Sequence, residues 1–476
     1  MANNNEVKHI HITAICGTAM GALAAMLLKQ GYKVTGSDQG VYPPMSTYLG
    51  SLGIEIMEGF KPENLDVNPD LVIVGNTVKR TNLEACEIMK RGIPYMHLPA
   101  AIAEFFIKDR HSIVVGGTHG KTTTTSLAAW VFEKAGKDPG FMVGGILKNF
   151  NSNSKVGNGN YFIIEGDEYD SAYFDKVPKF WHYKPQTAVL TSVEFDHGDI
   201  YKDLDHVKSA FEKFVSIIPQ NGLLVACADY SNVLEVIEKA QCRVLTYGYN
   251  SDADVRICNL ELNETGASFT LCRNGEENLT FNIPLWGAHN ASNAAAVAIV
   301  ALHHGIEPGI IQDGFNTFRG IKRRQEIIFE INNTIIIDDF AHHPTKVRET
   351  VKAVKARFKE RKLICIYEPR TNTSRRNFFQ EQYPESFPGA DQVIVAGVYN
   401  SSQIAPDELM NPDKLANDIK TRGIDACHIS QVDEIISFIN QKIKGGEIIL
   451  IMSNGGFGNI YKKLPSSLKN TLTVKN

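Results

Sequence analysis

The sequence predicts an α/β protein of three domains: a Rossmann-like N-terminal domain, a central P-loop ATP-binding domain with a parallel sheet, and a C-terminal Rossmann-like α/β domain. Three observations carry this. The chain has 476 residues, too many for one hydrophobic core. Short apolar runs rich in β-branched residues alternate with helix-patterned segments, as parallel strands covered on both faces require. A strand, a glycine-rich turn and a helix meet at residues 112–135, an arrangement suited to cradling phosphates.

The first domain is expected over residues 1–108. It opens with a strand at 9–14, a small-residue turn (Cys16, Gly17, Thr18, Ala19, Met20, Gly21) and an apolar helix through Leu28. A second strand at 32–36 runs into Ser37-Asp38, placing an acid where a ribose hydroxyl is often bound. A further strand at 71–74 ends at Gly75-Asn76-Thr77. The turn departs from Gly-x-Gly-x-x-Gly, so no NAD assignment follows from it.

The central domain is expected over 109–324. Strand 112–115 feeds Gly116-Gly117-Thr118-His119-Gly120-Lys121-Thr122-Thr123 and then a helix. The glycines admit an oligophosphate, Lys121 adds a positive charge, and the Thr122 hydroxyl suits the Mg²⁺ that travels with ATP. Val115 stands where the usual P-loop has its first glycine, so the loop is short. Two more strands end in acid clusters, Glu165-Gly166-Asp167-Glu168-Tyr169-Asp170 and Glu194-Phe195-Asp196-His197-Gly198-Asp199. Mg²⁺ needs only one or two carboxylates besides a hydroxyl and phosphates, which Glu168 and Thr122 supply; His197 suits a second cation or orients a neighbour. Residues 149–160, rich in Asn, Ser and Gly, read as a loop, and residues 253–284 as a small antiparallel excursion. Asn290 and Asn293 lie on one helical face after His289, where Asn290 caps the helix or both amides face an adenine edge. Lys322-Arg323-Arg324 is either a solvated linker or a group reaching a developing phosphoryl charge.

The third domain is expected over 325–476. Strand 334–337 ends in Asp338-Asp339, followed by Phe340-Ala341-His342-His343 and Pro344 at a helix start. Strand 362–366 ends in Glu368-Pro369-Arg370, whose guanidinium can fork onto a substrate carboxylate. The last strand, 447–451, ends in Met452-Ser453-Asn454-Gly455-Gly456-Phe457-Gly458, a second anion loop or a tight turn.

Bulk properties exclude several classes. A net charge of −4 without a long basic run argues against nucleic acid. No apolar stretch is long enough to span a bilayer, so no membrane association is expected. The eight cysteines are scattered without a Cys-x-x-Cys pair, which predicts reduced thiols in the cytoplasm. A monomer or weak homodimer is expected.

Taken together, residues 117–123, 165–170, the stretch around His197, His289 to Asn293, Arg324 and residues 338–345 resemble the Mur ligase family, the ATP-dependent amide-forming enzymes of bacterial peptidoglycan synthesis. Asp339-Phe340-Ala341-His342-His343-Pro344-Thr345 resembles the branch acting on UDP-N-acetylmuramate. Two activities compete within it, addition of L-alanine and addition of the recycled tripeptide L-alanyl-γ-D-glutamyl-meso-diaminopimelate. Residues 167–176, 368–373 and Val41-Tyr42-Pro43-Pro44-Met45-Ser46 are similar to the tripeptide-adding kind, which is the expectation adopted.

The resemblance implies that the first domain holds the UDP-sugar, through Gly17, Thr18, Ala19, Met20, Gly21, Asp38, Asn76 and Thr77. ATP would lie on Gly117, Thr118, His119, Gly120, Lys121, Thr122 and Thr123, with Asn290 and Asn293 facing adenine, Arg324 the γ-phosphate and Asp339 the ribose. Thr122, Glu168 and His197 would be metal ligands, and Lys121, Glu168, His197 and Arg324 the catalytic set. His343 and Arg370 would serve the peptide. Some family members carry a carbamoylated lysine near the position of Lys213, to which no such role is assigned. The implied chemistry runs through an acyl phosphate. Rival expectations are a nucleotide switch without ligase chemistry and a dinucleotide oxidoreductase built on the first block.

Overall fold

The computed structural model describes residues 7–43 and 45–474. Pro44, in one of the stretches quoted above, lies outside them, as do residues 1–6 and 475–476. The chain divides into two compact units. One comprises the chain up to Glu194, with Asp205–Arg256 and Ala295–Thr317; the other comprises Phe195–Leu204, Ile257–Ala294 and the chain from Phe318.

The first unit begins with a five-stranded sheet of β1 (His9–Thr13), β2 (Lys33–Asp38), β3 (Glu55–Glu58), β4 (Leu71–Val74) and β5 (Tyr95–His97). Its order is β3-β2-β1-β4-β5 and every pairing is parallel. All five residues of β1 are buried, because a parallel sheet is covered on both faces. Ile10 and Ile12 fill one face, so His9 and His11 on the other must find partners. His9 Nε2 and His11 Nδ1 meet Thr35 Oγ1 at 2.9 and 3.0 Å, and His11 Nε2 meets Glu84 Oε1 at 3.0 Å. Ser37 and Asn64 add two further donors to the buried Glu84 carboxylate.

The same unit then contributes β6 (His111–Gly116), β7 (Gly140–Leu147), β8 (Ser152–Lys155), β9 (Tyr161–Glu165), the hairpin β10 (Asp170–Ala172) and β11 (Asp175–Pro178), β12 (Thr187–Leu190), β13 (Leu223–Cys227) and β14 (Arg243–Gly248). The neighbours run β14-β13-β12-β6-β9-β7-β8, parallel up to β7 with β8 antiparallel at the edge. The central β6 is therefore flanked by β9 and β12, the two strands that end in acid clusters. β8 corrects the expected loop at 149–160: an edge strand needs only backbone pairing, here with Phe141 and Met142, and poor β-propensity does not prevent it.

In the second unit, the expected antiparallel excursion appears as β16 (Gly266–Cys272) paired with β17 (Leu279–Ile283), after β15 (Val255–Asn263). A six-stranded sheet follows, formed by β18 (Glu326–Ile331), β19 (Thr334–Asp339), β20 (Leu363–Tyr367), β21 (Gln392–Ala396), β22 (Asp425–Ile429) and β23 (Ile448–Met452), in the order β18-β19-β23-β20-β21-β22. It is parallel except for β18, an antiparallel edge strand that sequence reading left out. Successive residues alternate between two cores. Ile335, Ile337, Leu363, Cys365, Val393, Val395, Ile448 and Leu450 belong to one, and Ile336, Ile364, Ile366, Ile394, Ile449 and Ile451 to the other. Each such side chain contributes about 1.5–3 kcal/mol by leaving water, so both faces are committed to helices and chemistry is left to the strand ends.

Candidate active site

The phosphate turn leaves β6 and enters the helix Lys121–Lys134. Two glycines shape it. Gly117 has φ +131°, and a Cβ there would lie 2.2 Å from Thr191 Oγ1; Gly120 caps the helix at φ 83°. The end of β12 braces the turn. Thr118 N donates to Ser192 O at 2.9 Å, His119 N to Ser192 Oγ at 2.9 Å, and Thr191 Oγ1 to His119 O at 2.5 Å. Thr118 Oγ1 donates to Glu194 O at 3.1 Å and accepts from Glu194 N at 2.9 Å, while His119 Nε2 lies 2.9 Å from Glu194 Oε2. The Thr118 and His119 amides thus hold the turn itself. The first intrahelical bond runs from Thr124 N to Gly120 O at 3.0 Å, so the anion-facing end of the helix begins at Lys121.

The β9 end closes the other side. Lys121 Nζ donates to Glu168 Oε2 and Oε1 at 2.7 and 2.9 Å and to Gly117 O at 2.6 Å. Burial works against the Lys121 ammonium, but Glu168 and Glu165 outweigh it and hold its pKa above the usual lysine value. Thr122 Oγ1 donates to Glu165 Oε1 at 2.9 Å, and Gly144 N to Glu165 Oε2 at 2.8 Å. Asp167 pairs with Lys179 at 2.6 Å; burial opposes its ionisation, yet Lys179 brings its pKa down to about 2. Both acid-ended strands therefore reach the phosphate turn. Sequence reading did not single out Glu165 as the partner of Thr122, although the Val115–Glu165 register beside the turn follows once β9 is placed next to β6.

In the first sheet, Gly17 precedes the helix Thr18–Lys29, and Asp38 Oδ2 accepts from Cys16 N at 2.8 Å while its Oδ1 accepts from Gly40 N at 3.0 Å. Gly17, Thr18, Ala19, Asn76 and Thr77 are exposed, and Met20 and Gly21 are buried. Asp38 thus shapes the turn, and the exposed residues line the carboxyl ends of β1 and β4.

The remaining expected residues belong to the second unit. Asn290 corrects the capping alternative: the helix Ala288–His303 begins two residues earlier, and Asn290 Nδ2 donates to Trp286 O at 2.9 Å. Asn293 Nδ2 reaches Asn290 Oδ1 at 3.2 Å, so the two amides do share a face. The linker reading of the basic run fails for Arg323. This residue donates to Asp338, Ser453 O, Gly455 O and Tyr461 OH, while the Arg324 guanidinium lies 5.0 Å from the Phe340 ring. Asp339 accepts from Gln325 N and Ala341 N, both at 2.8 Å, and thereby shapes the β19 end. His343 caps the helix Pro344–Arg357 and its Nε2 lies 3.1 Å from Phe195 O. His197 has φ 54°, and its amide bonds Asp196 Oδ1 at 2.7 Å. Arg370 stacks at 3.7 Å over Tyr399 and bonds Glu368 Oε1 at 3.3 Å; Glu368 also accepts from Ser453 Oγ. A Cβ on Gly455 would lie 1.7 Å from Arg370 Nε, so the last strand's glycine turn makes room for the guanidinium.

Burial first, with Asp339 and Glu326 adding to it, pushes the Asp338 carboxyl up to about 6 against the pull of Arg323, and among the described residues its Oδ1 has no hydrogen-bond partner. The folded state holds that proton more tightly than the unfolded chain. Stability is therefore lost as pH rises through the interval from the ordinary aspartate value to about 6. Asp338→Asn is expected to stabilise the protein at pH 7 by roughly 1 kcal/mol and to change little near pH 4, as read by denaturant unfolding at the two pH values.

Three consecutive segments match Mur ligase domains: residues 9–110 the family's catalytic domain, 115–301 its middle domain and 323–455 its glutamate ligase domain. The chain is 35% identical over 462 residues to the UDP-N-acetylmuramate–L-alanyl-γ-D-glutamyl-meso-2,6-diaminoheptandioate ligase of Escherichia coli, covering 96% of this chain and 98% of that protein.

The chain belongs to the Mur ligase family.

Its fold is accordingly the three-domain α/β fold of that family, with mainly parallel sheets, and its members are ATP-dependent amide ligases. The UDP-N-acetylmuramate–L-alanine ligase of Clostridium tetani is 33% identical, covering 96% of this chain and 97% of the relative. Among solved Mur ligases, a murein peptide ligase from Psychrobacter arcticus is 34% identical, with a TM-score of 0.72, covering 97% of this chain and 99% of the other. The UDP-N-acetylmuramate–alanine ligase of Thermotoga maritima has a TM-score of 0.79 at 24% identity, covering 98% of this chain and 100% of the other; it bears on the fold alone. Among the described residues no helix is long and apolar enough to cross a membrane.

Proposed function

We propose that this Mur ligase joins the lactyl carboxylate of UDP-N-acetylmuramate to the amine of L-alanyl-γ-D-glutamyl-meso-diaminopimelate with hydrolysis of ATP, returning a recovered peptide to peptidoglycan synthesis in the cytoplasm. The observation that carries this reading is the near-full-length match to proteins of that name and to a solved murein peptide ligase. The alanine-adding relatives follow at 33–34% identity, so the acceptor is the point to test.

A carboxylate is a poor electrophile. Attack of its oxygen on the γ-phosphorus of ATP releases ADP and leaves an acyl phosphate; the acceptor amine then forms the C–N bond and phosphate departs with the attacking oxygen. Catalysis of this kind is mostly positioning and charge neutralisation. The residues present suit ATP and Mg²⁺. The turn offers helix-start amides and a partly buried ammonium, and Thr122, Glu165 and Glu168 give a hydroxyl and two carboxyl groups at one edge. Around the turn, three carboxyl groups (Glu165, Asp167, Glu168) face two ammonium groups (Lys121, Lys179), an excess that suits a divalent cation. Mg²⁺ held there would neutralise phosphate charge. Lys121, at present shared with Glu168, is the group to contact the transferring phosphoryl oxygens. Arg324 for the γ-phosphate, Asn290 and Asn293 for adenine, Asp339 for ribose, His197 for a metal, and His343 and Arg370 for the peptide remain part of the proposal.

ADP release with UDP-N-acetylmuramate, comparing the tripeptide with L-alanine as acceptor, tests the reading. The tripeptide should give the larger kcat/KM. A larger value with L-alanine reverses the choice of acceptor, and ATP hydrolysis independent of UDP-N-acetylmuramate favours a nucleotide switch.

A further inference from the structure

The hairpin of β10 and β11 begins two residues after Glu168 and bonds to the first sheet, and nothing in the reaction so far uses it. Its base is fixed beside the phosphate turn: Asp167 pairs with Lys179, and Lys179 N donates to Tyr169 O at 3.1 Å. Its tip reaches the first sheet. Tyr173 packs on the cluster containing Ala14, Val72 and Val74. Phe174 meets Tyr95 edge-on, with ring centroids 5.0 Å apart, and stacks on His97 at 5.8 Å. Asp175 Oδ2 then lies 3.0 Å from His97 Nε2 and 3.1 Å from His182 Nε2. His97 is the last residue of β5, so this contact is made at the carboxyl edge of the sheet, the side on which open α/β sheets bind ligands.

The protons can be assigned. His97 caps the helix Leu98–Ile102, its Nδ1 accepting from Ala100 N at 3.1 Å. Burial lowers the pKa of both His97 and His182, so the rings are neutral near pH 7. With Nδ1 of His97 an acceptor, its proton sits on Nε2 and is donated to Asp175. The three side chains have the donor types of a divalent-cation site, but this tautomer opposes one: a cation on Nε2 would move the proton to Nδ1, against the Ala100 amide.

We infer that Asp175 is a positioning residue which, through His97, holds the sugar-nucleotide sheet in register with the strand end that carries Glu168. The inference rests on the proposed reaction for what is positioned. A hairpin carboxylate hydrogen-bonded to the last residue of β5 defines the distance between hairpin and sheet more tightly than apolar packing alone, because hydrogen bonds are directional. An error of an ångström between carboxylate and phosphoryl group is felt strongly in the rate.

The test uses Asp175→Ala and Asp175→Asn in the full chain. Asp175→Ala should raise KM for UDP-N-acetylmuramate by about tenfold, with Kd for a fluorescent ATP analogue unchanged within about twofold; Asp175→Asn, which keeps an acceptor oxygen, should fall between parent and alanine. A general structural defect would weaken both ligands together. An unchanged KM in Asp175→Ala, or an equal loss of ATP-analogue affinity, overturns the inference. Hydrogen exchange on the unliganded protein needs no activity and separates this claim from the functional reading. The Ala100 amide and residues 95–97 should exchange faster in Asp175→Ala, and unchanged exchange there overturns the inference whatever reaction the parent performs.

Discussion

Lys121→Ala is expected to lower kcat by about 10³-fold, near 4 kcal/mol of transition-state stabilisation, with the fold retained. The ammonium lies inside the phosphate turn, 2.6 Å from Gly117 O and 2.7 Å from Glu168. Without it, phosphoryl transfer loses a charge that needs no reorganisation at the moment of reaction. The substitution also removes the Lys121 partner of Glu168, whose side chain is only 3% exposed. Breaking a buried pair by removing one partner destabilises by about 3–5 kcal/mol, an upper range here because Glu168 can take up a proton. Both effects are measurable: single-turnover ADP formation reports the first and denaturant unfolding the second. Lys121→Arg should not rescue turnover, because a planar guanidinium does not fit the space of a compact ammonium held by three acceptors.

Glu168→Gln is expected to lower kcat by about 10²-fold or more and to raise the Mg²⁺ concentration needed for half-maximal rate. Its informative form is the double variant with Lys121→Ala. Stability and activity then diverge. Glu168→Gln takes away the buried carboxylate charge that Lys121 neutralises, so the double variant should be more stable than Lys121→Ala alone, with a coupling of roughly 1–3 kcal/mol. Turnover should stay at the level of the worse single variant, because the two groups, in contact with each other, act as a unit on the phosphate and metal assembly. Recovery of activity together with stability would mean that the pair serves only folding.

Much of this was legible in the sequence because it depends on local signals. The β6 strand, glycine turn and helix form one contiguous stretch, and residues 161–164 and 187–192 read as strands ending in acids from their sequence. The alternation of β19, β20, β21 and β23 between two cores is the period-two pattern of buried parallel strands. What escaped depends on contacts distant in sequence. Glu165 became the partner of Thr122 through the register between β9 and β6, which spacing does not specify. β8 and β18 are edge strands defined by backbone pairing rather than by an apolar pattern. Arg323, in a run that reads as a solvated linker, is held by Asp338, Tyr461 and two carbonyls of the last strand's turn, partners more than a hundred residues away except for Asp338. The Asp175 contact joins residues 78 apart and is visible only once the hairpin is folded.

The central claim is that a carboxylate is activated by phosphorylation on this turn before the amide bond forms. UDP-N-acetylmuramate carrying ¹⁸O in its lactyl carboxylate, turned over with ATP and the tripeptide, tests it most directly by mass analysis of the phosphate released. Transfer of one ¹⁸O from carboxylate to inorganic phosphate, one label for each amide bond formed, is the predicted result. Phosphate free of label alongside amide product would contradict the account.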